Sequence, residues 1–150
     1  ADLAYLKARL ATEVPVATSG GAYLTVRDQD KKNLLDSANK LKELGFILYA
    51  TPGTADYLRE HNIPVEVVYR IRESKHPDAL DLMRQGKISF IVNVPTVSGG
   101  AVRDGNMMRR LAVELNIPFV TTIRGANMEV AAIAAQQKGK LEPRRLKVNY

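Results

Sequence analysis

The chain has 150 residues, 45% of them hydrophobic and 25% charged, with a formal net charge of +6 and no cysteine. That length can bury about 70% of the unfolded surface, enough for one core, while the missing cysteine excludes disulfides and thiolate metal sites. The longest apolar runs, such as Ile88–Val92 and Ile117–Val120, fall far short of the ~20 residues of a membrane helix, so no membrane partner is expected.

The opening Ala-Asp-Leu-Ala-Tyr has no basic region followed by an apolar run, so no signal peptide is expected. Without an initiator Met, the chain reads as part of a longer protein or a processed one, with a soluble cytoplasmic location as the default. A basic balance attracts anions in general. The cations are nevertheless spread along the chain, with only Arg144, Arg145 and Lys147 approaching a cluster, and aromatics do not interleave them. No nucleic-acid partner is expected.

In chain order, Leu3, Leu6 and Leu10 mark a short amphipathic helix, and Thr12–Gly21 has the Pro, Ser, Thr and Gly content of a linker. Residues 1–21 are therefore expected to be a helix and linker from a preceding domain, with the domain proper at 22–150. Ala22–Val26 predicts a strand, and Leu34, Leu35, Ala38, Leu41 and Leu44 predict a helix stopped by Gly45. A strand over Phe46–Ala50 and a helix over Ala55–His61 follow, then a strand at Val65–Val68 and a helix at Ala79–Arg84 ending on Gly86. Ile88–Val92 is an unbroken apolar strand, Met107–Leu115 a helix, Pro118–Thr121 a strand and Met128–Lys138 an alanine-rich helix. A last strand is expected at Leu146–Val148. This alternation predicts an α/β fold, a three-layer sandwich around a mostly parallel sheet.

Ligands of such sheets bind beyond the carboxyl ends of the strands. There, Thr51-Pro-Gly-Thr54 sets two hydroxyls around Gly53 at a helix N-terminus, where free N–H groups and the helix dipole favour phosphate. Thr54 is also a natural N-cap and Gly53 a natural turn residue. Lys31 lies in a first helical turn, where a cation opposes the dipole unless an anion is near. Arg70 follows a strand, and Asn93 leaves one with both a donor and an acceptor. Asp104 is an N-cap by default and a ribose acceptor by hypothesis. No nucleophile elbow, Walker loop or G-x-G-x-x-G is present. His61 and His76 show no metal-ligand spacing, and Gly99-Gly100 reads as a flexible loop. No catalytic residue, metal or cofactor is expected in this domain.

The strings Val26-Arg-Asp-x-Asp-Lys31, Gly45-Phe-x-x-x-Ala-Thr51-x-Gly-Thr54, Gly86-Lys-Ile-x-x-Ile-Val-Asn93, Asp104-x-x-x-x-Arg109-Arg110-x-Ala and Ile117-Pro-x-x-Thr-Thr122 occur in that order. Together they resemble the methylglyoxal-synthase-like superfamily, and within it the C-terminal allosteric domains of carbamoyl-phosphate synthase large subunits. The resemblance, over Ala22 to Lys138, implies a five-stranded sheet and a nucleotide effector of the UMP or IMP type. It implies that Lys31, Thr51 and Thr54, beside Gly53, hold the phosphate, that Arg70 preserves the charge where the family often has Lys, that Asn93 with Pro95 or Thr96 faces the base, and that Asp104 reaches the ribose. It further implies upstream synthetase domains and a glutaminase small subunit as partners. The whole ligase would make carbamoyl phosphate from bicarbonate, glutamine or ammonia, and ATP. Phe119-Val120-Thr121 replaces the Tyr-Asp-Thr run through which some relatives bind ornithine. Ser74-Lys-His-Pro-Asp78 lacks the Gly-Asp-Gln of methylglyoxal synthase, and Arg103 stands where its His belongs. A catalyst acting on dihydroxyacetone phosphate and a free-standing nucleotide-binding module are the alternatives.

Overall fold

A computed structural model describes residues 3–10, 14–97 and 99–141. Strands β1 (Gly21–Val26), β2 (Ile47–Ala50), β3 (Glu66–Val67), β4 (Phe90–Val94) and β5 (Phe119–Val120) form one sheet in the order β3-β2-β1-β4-β5, every pairing parallel. The helices are α1 (Leu3–Leu10), α2 (Lys31–Glu43), α3 (Pro52–Glu60), α4 (Ala79–Arg84), α5 (Ala101–Leu115) and α6 (Ile123–Leu141). The expected α/β sandwich is present, with a sheet that is parallel throughout. The expected strand at 146–148 lies outside the described residues.

The period-2 alternation of side chains sorts the sheet into two faces. Ala22, Leu24 and Val26 of β1, Leu48 and Ala50 of β2, and Phe90, Val92 and Val94 of β4 face α2, α3 and α6. There they meet Leu34, Ala38, Leu41, Leu58, Val130 and Ile133. Tyr23, Tyr49 and Ile91 face the other way, packing with Leu80, Met83, Met108 and Ala112 of α4 and α5. All five residues of β4 are buried, as expected of a strand covered on both sides.

Several boundaries differ from the sequence expectation. The fourth strand is Phe90–Val94 instead of Ile88–Val92, because pairing begins at Ala22↔Phe90 while Ile88 packs into the second core before the ladder starts. Asn93 is consequently inside the strand, opposite Thr25. Helix α3 begins at Pro52, whose fixed φ suits a first helical position, so Thr51 is the N-cap and Thr54 lies within the first turn. Helix α5 begins at Ala101, which places Asp104 inside the helix rather than at its cap. Gly45 (φ +92°) and Gly86 (φ +75°) close α2 and α4 as read, in backbone conformations that favour glycine.

The segment read as helix and linker is docked on the domain. Glu129 of α6 is 1% exposed, and its carboxylate accepts from Arg9 Nε at 2.8 and 2.9 Å and from the Tyr5 hydroxyl at 2.8 Å. Arg9 also donates to the carbonyls of Val14 and Pro15. Burial, followed by the Glu129 hydrogen bond, pushes the Tyr5 phenol up to about 12. Val16 and Ala17 pack on the first core. Among the described residues no helix is long and apolar enough to cross a membrane.

Candidate functional site

The strand order reverses between β1 and β4: β2 and β3 extend the sheet on one side of β1, β4 and β5 on the other. A crevice beyond the carboxyl ends is expected there. A cavity of about 180 Å³ occupies it, and Lys31, Thr51, Gly53, Thr54, Arg70, Asn93, Thr96 and Asp104 all line it. Eight residues separated by up to 73 positions are thus gathered at one place by the topology.

On one side, the ends of β1 and β2 lie adjacent, and the Thr25 and Thr51 hydroxyls are 3.1 Å apart. Pro52 has no N–H, and the first N–H to return to the cap is that of Ala55, bonded to the Thr51 carbonyl at 2.8 Å. The N–H groups of Gly53 and Thr54 have no helical carbonyl to bond and sit at the positive end of α3. The Thr54 hydroxyl is committed elsewhere: it accepts from Val26 N–H at 3.2 Å and donates to the Val26 carbonyl at 3.3 Å. Thr54 therefore ties α3 to β1 with its side chain and offers an anion its backbone N–H. A methyl on Gly53 would stand 3.2 Å from Lys31 Nζ, so the ammonium lies over the first turn of α3 as well as that of α2. Asp28 partly offsets this placement through an ion pair with Lys31. The Lys31 hydrogen bond, with its charge, holds the exposed Asp28 carboxyl below the usual carboxylate range.

On the other side, Asn93 of β4 is 5% exposed. Its amide faces Gly105 of α5, where an added methyl would meet Nδ2 at 2.5 Å. Among the described residues the amide has no hydrogen-bond partner. Arg72 reaches across to Asp104 with Nη1–Oδ2 at 2.7 Å. Its stem passes Gly100 so closely that a methyl there would collide with Cδ, so that glycine clears a path for Arg72 rather than serving only as a loose loop. Arg70 caps a short 3-10 turn, Ile71–Glu73, and holds Glu73 through its backbone N–H at 3.1 Å. The lining carries four cations (Arg27, Lys31, Arg70, Arg72) against two carboxylates (Asp28, Asp104), a surplus suited to a dianion.

Tyr23, Thr25, Arg72 and Gly105 escaped the sequence reading. Tyr23 and Thr25 could have been found, because alternation along β1 places them on one face running toward the strand end. Arg72 and Gly105 have no local signal; their roles exist only through partners 32 and 12 residues away. His76, Asp78 and Asp81, which sequence spacing does not mark, come within reach of one another. Their atoms are already engaged: His76 Nδ1 lies 2.6 Å from Asp81, and Asp78 and Asp81 form the capping box of α4.

Fold and site define an all-parallel α/β domain with an electropositive pocket at its switch point, lined by a helix N-terminus. Residues 33–121 match the MGS-like domain, and the chain belongs to that family. It is 48% identical over 139 residues to the "Carbamoyl phosphate synthase large chain, C-terminal section" of Methanocaldococcus jannaschii, a match covering 92% of this chain and 22% of that one. The corresponding section from Methanopyrus kandleri is 44% identical over 137 residues, 91% of this chain and 25% of the other. A carbamoyl phosphate synthase large chain of Methanosarcina barkeri is 37% identical over 137 residues, covering 91% and 34%. The chain thus spans between 22% and 34% of these relatives' lengths.

Proposed function

We propose that this chain is the allosteric domain of a carbamoyl-phosphate synthase large chain, and that its pocket binds a nucleoside monophosphate of the UMP or IMP type. One observation carries the ligand class. Among the described residues, the unbonded N–H groups of Gly53 and Thr54, the Lys31 ammonium over Gly53, and the buried, unpartnered amide of Asn93 line the same cavity. The first two groups suit a phosphate; the amide suits a base or another polar part of the ligand. The similarity to carbamoyl phosphate synthase large chains supports the enzyme in which such a domain sits.

Binding acts by favouring one of two arrangements of the domain against the synthetase body, for which coupling of about 1–3 kcal/mol is usual. Calorimetric titration with UMP and IMP tests the reading. Binding is expected, and Lys31→Ala is expected to weaken it roughly 10- to 100-fold, the scale of one charge-assisted hydrogen bond. Absence of binding at millimolar nucleotide refutes it, as does release of methylglyoxal from dihydroxyacetone phosphate.

A further inference from the structure

We propose that Tyr23 is a ligand-contacting residue whose hydroxyl, together with the Asp104 carboxylate, reads a sugar hydroxyl of the bound nucleotide. This rests on the nucleotide reading above and extends it to a residue outside the motifs that suggested it.

Tyr23 is 2% exposed and lines the cavity from β1, on the same sheet face as Thr25 and Asn93. Its ring packs in the core with Ile91 and Met108, work that a phenylalanine would do equally well. The hydroxyl is the unexplained part. Buried tyrosine hydroxyls ordinarily find a hydrogen-bond partner, as Tyr5 does on Glu129, yet among the described residues the Tyr23 hydroxyl has none. A buried hydroxyl away from any cavity must find its partner within the protein. One that borders a cavity acquires its partner when the cavity is filled.

The surroundings say what that partner is. Burial foremost, then the carboxylates of Asp104 and Asp78, raise the Tyr23 phenol well above its ordinary range, against a smaller opposite effect of Arg70 and Arg72. The group thus remains a neutral O–H donor. Arg72 engages Oδ2 of Asp104, which leaves Oδ1 to accept. A donor beside a carboxylate acceptor suits an alcohol, which accepts from Tyr23 and donates to Asp104. A phosphate oxygen, by contrast, would be repelled by Asp104. Charge recognition therefore lies at Lys31 and α3, and hydroxyl recognition at Tyr23 and Asp104.

The test is calorimetric titration of wild type and Tyr23→Phe with UMP, its 2′-deoxy and 3′-deoxy analogues, and inorganic phosphate. Wild type is expected to prefer UMP to at least one deoxy analogue by about 2- to 12-fold, the scale of one neutral hydrogen bond. In Tyr23→Phe that preference disappears while phosphate affinity is unchanged. The melting temperature of the unliganded variant stays within about 4 °C of wild type, because phenylalanine keeps the packing of the ring. An unchanged preference, equal weakening of every ligand including phosphate, or a larger fall in melting temperature each overturns the proposal. Nucleotide binding by wild type with no effect of Tyr23→Phe sinks this inference alone; no nucleotide binding at all sinks both.

Discussion

Replacing Arg9 by Met removes a cation from beneath α1 while keeping a similar apolar stem. Glu129 would then retain one of its three hydrogen bonds, that from Tyr5, at a position 1% exposed. Stranding a buried charge in this way costs about 3–5 kcal/mol. At about 2–4 °C per kcal/mol for a domain of this size, the melting temperature should fall by roughly 6–20 °C. The cost has a ceiling, because α1 can leave its place on α6 and let water reach Glu129. Amide exchange along α1 and the facing turn of α6 should accelerate in step. Arg9→Met combined with Glu129→Leu removes both charges and should recover most of the loss, since apolar replacements of a buried pair are often neutral. A single variant melting within 2 °C of wild type, or a double variant less stable than the single, would refute the assignment of Arg9–Glu129 as the clasp between helix and domain.

Gly105→Ala separates stability from binding. Alanine gains about 1 kcal/mol of helix propensity, and displacing the Asn93 amide that its methyl meets at 2.5 Å costs about 0.5–1.5 kcal/mol. Thermal stability should therefore stay within about 1 kcal/mol of wild type while UMP affinity drops about tenfold, read by melting and calorimetry together. His76 titrates with its pKa raised, first by the hydrogen bond to Asp81 and then by that carboxylate's charge. Its contribution to stability is therefore complete below the ordinary histidine range and lost as pH rises through the elevated value. Asp81→Asn should return the His76 ring resonances to an ordinary titration midpoint, followed by NMR; an unmoved midpoint would contradict the pairing.

Local chemistry made the architecture legible. The leucine spacing from Leu34 to Leu44 needs only the 3.6-residue period of a helix, and the stops at Gly45 and Gly86 need only the left-handed backbone that favours glycine. The Thr51–Thr54 turn was legible for the same reason, since a strand, a proline and a helix start are neighbours in the chain. The division of labour inside that turn was not. Thr51 caps because Pro52 starts α3, and Thr54's hydroxyl is spent on Val26, a strand 28 residues away.

By itself the sequence determined the alternation of strands and helices, the family and the eight residues gathered at the sheet's switch point, because those are carried by periodicity and by short strings. Only the tertiary structure decided that Asn93 lies inside β4 opposite Thr25, that Arg72 rather than solvent meets Asp104, and that Glu129 clasps α1. It also decided that Tyr23 brings to the cavity a hydroxyl without a partner among the described residues. The physical reason is common to all four. Strand register and side-chain pairing are settled by partners distant along the chain, and no local propensity encodes which partner arrives.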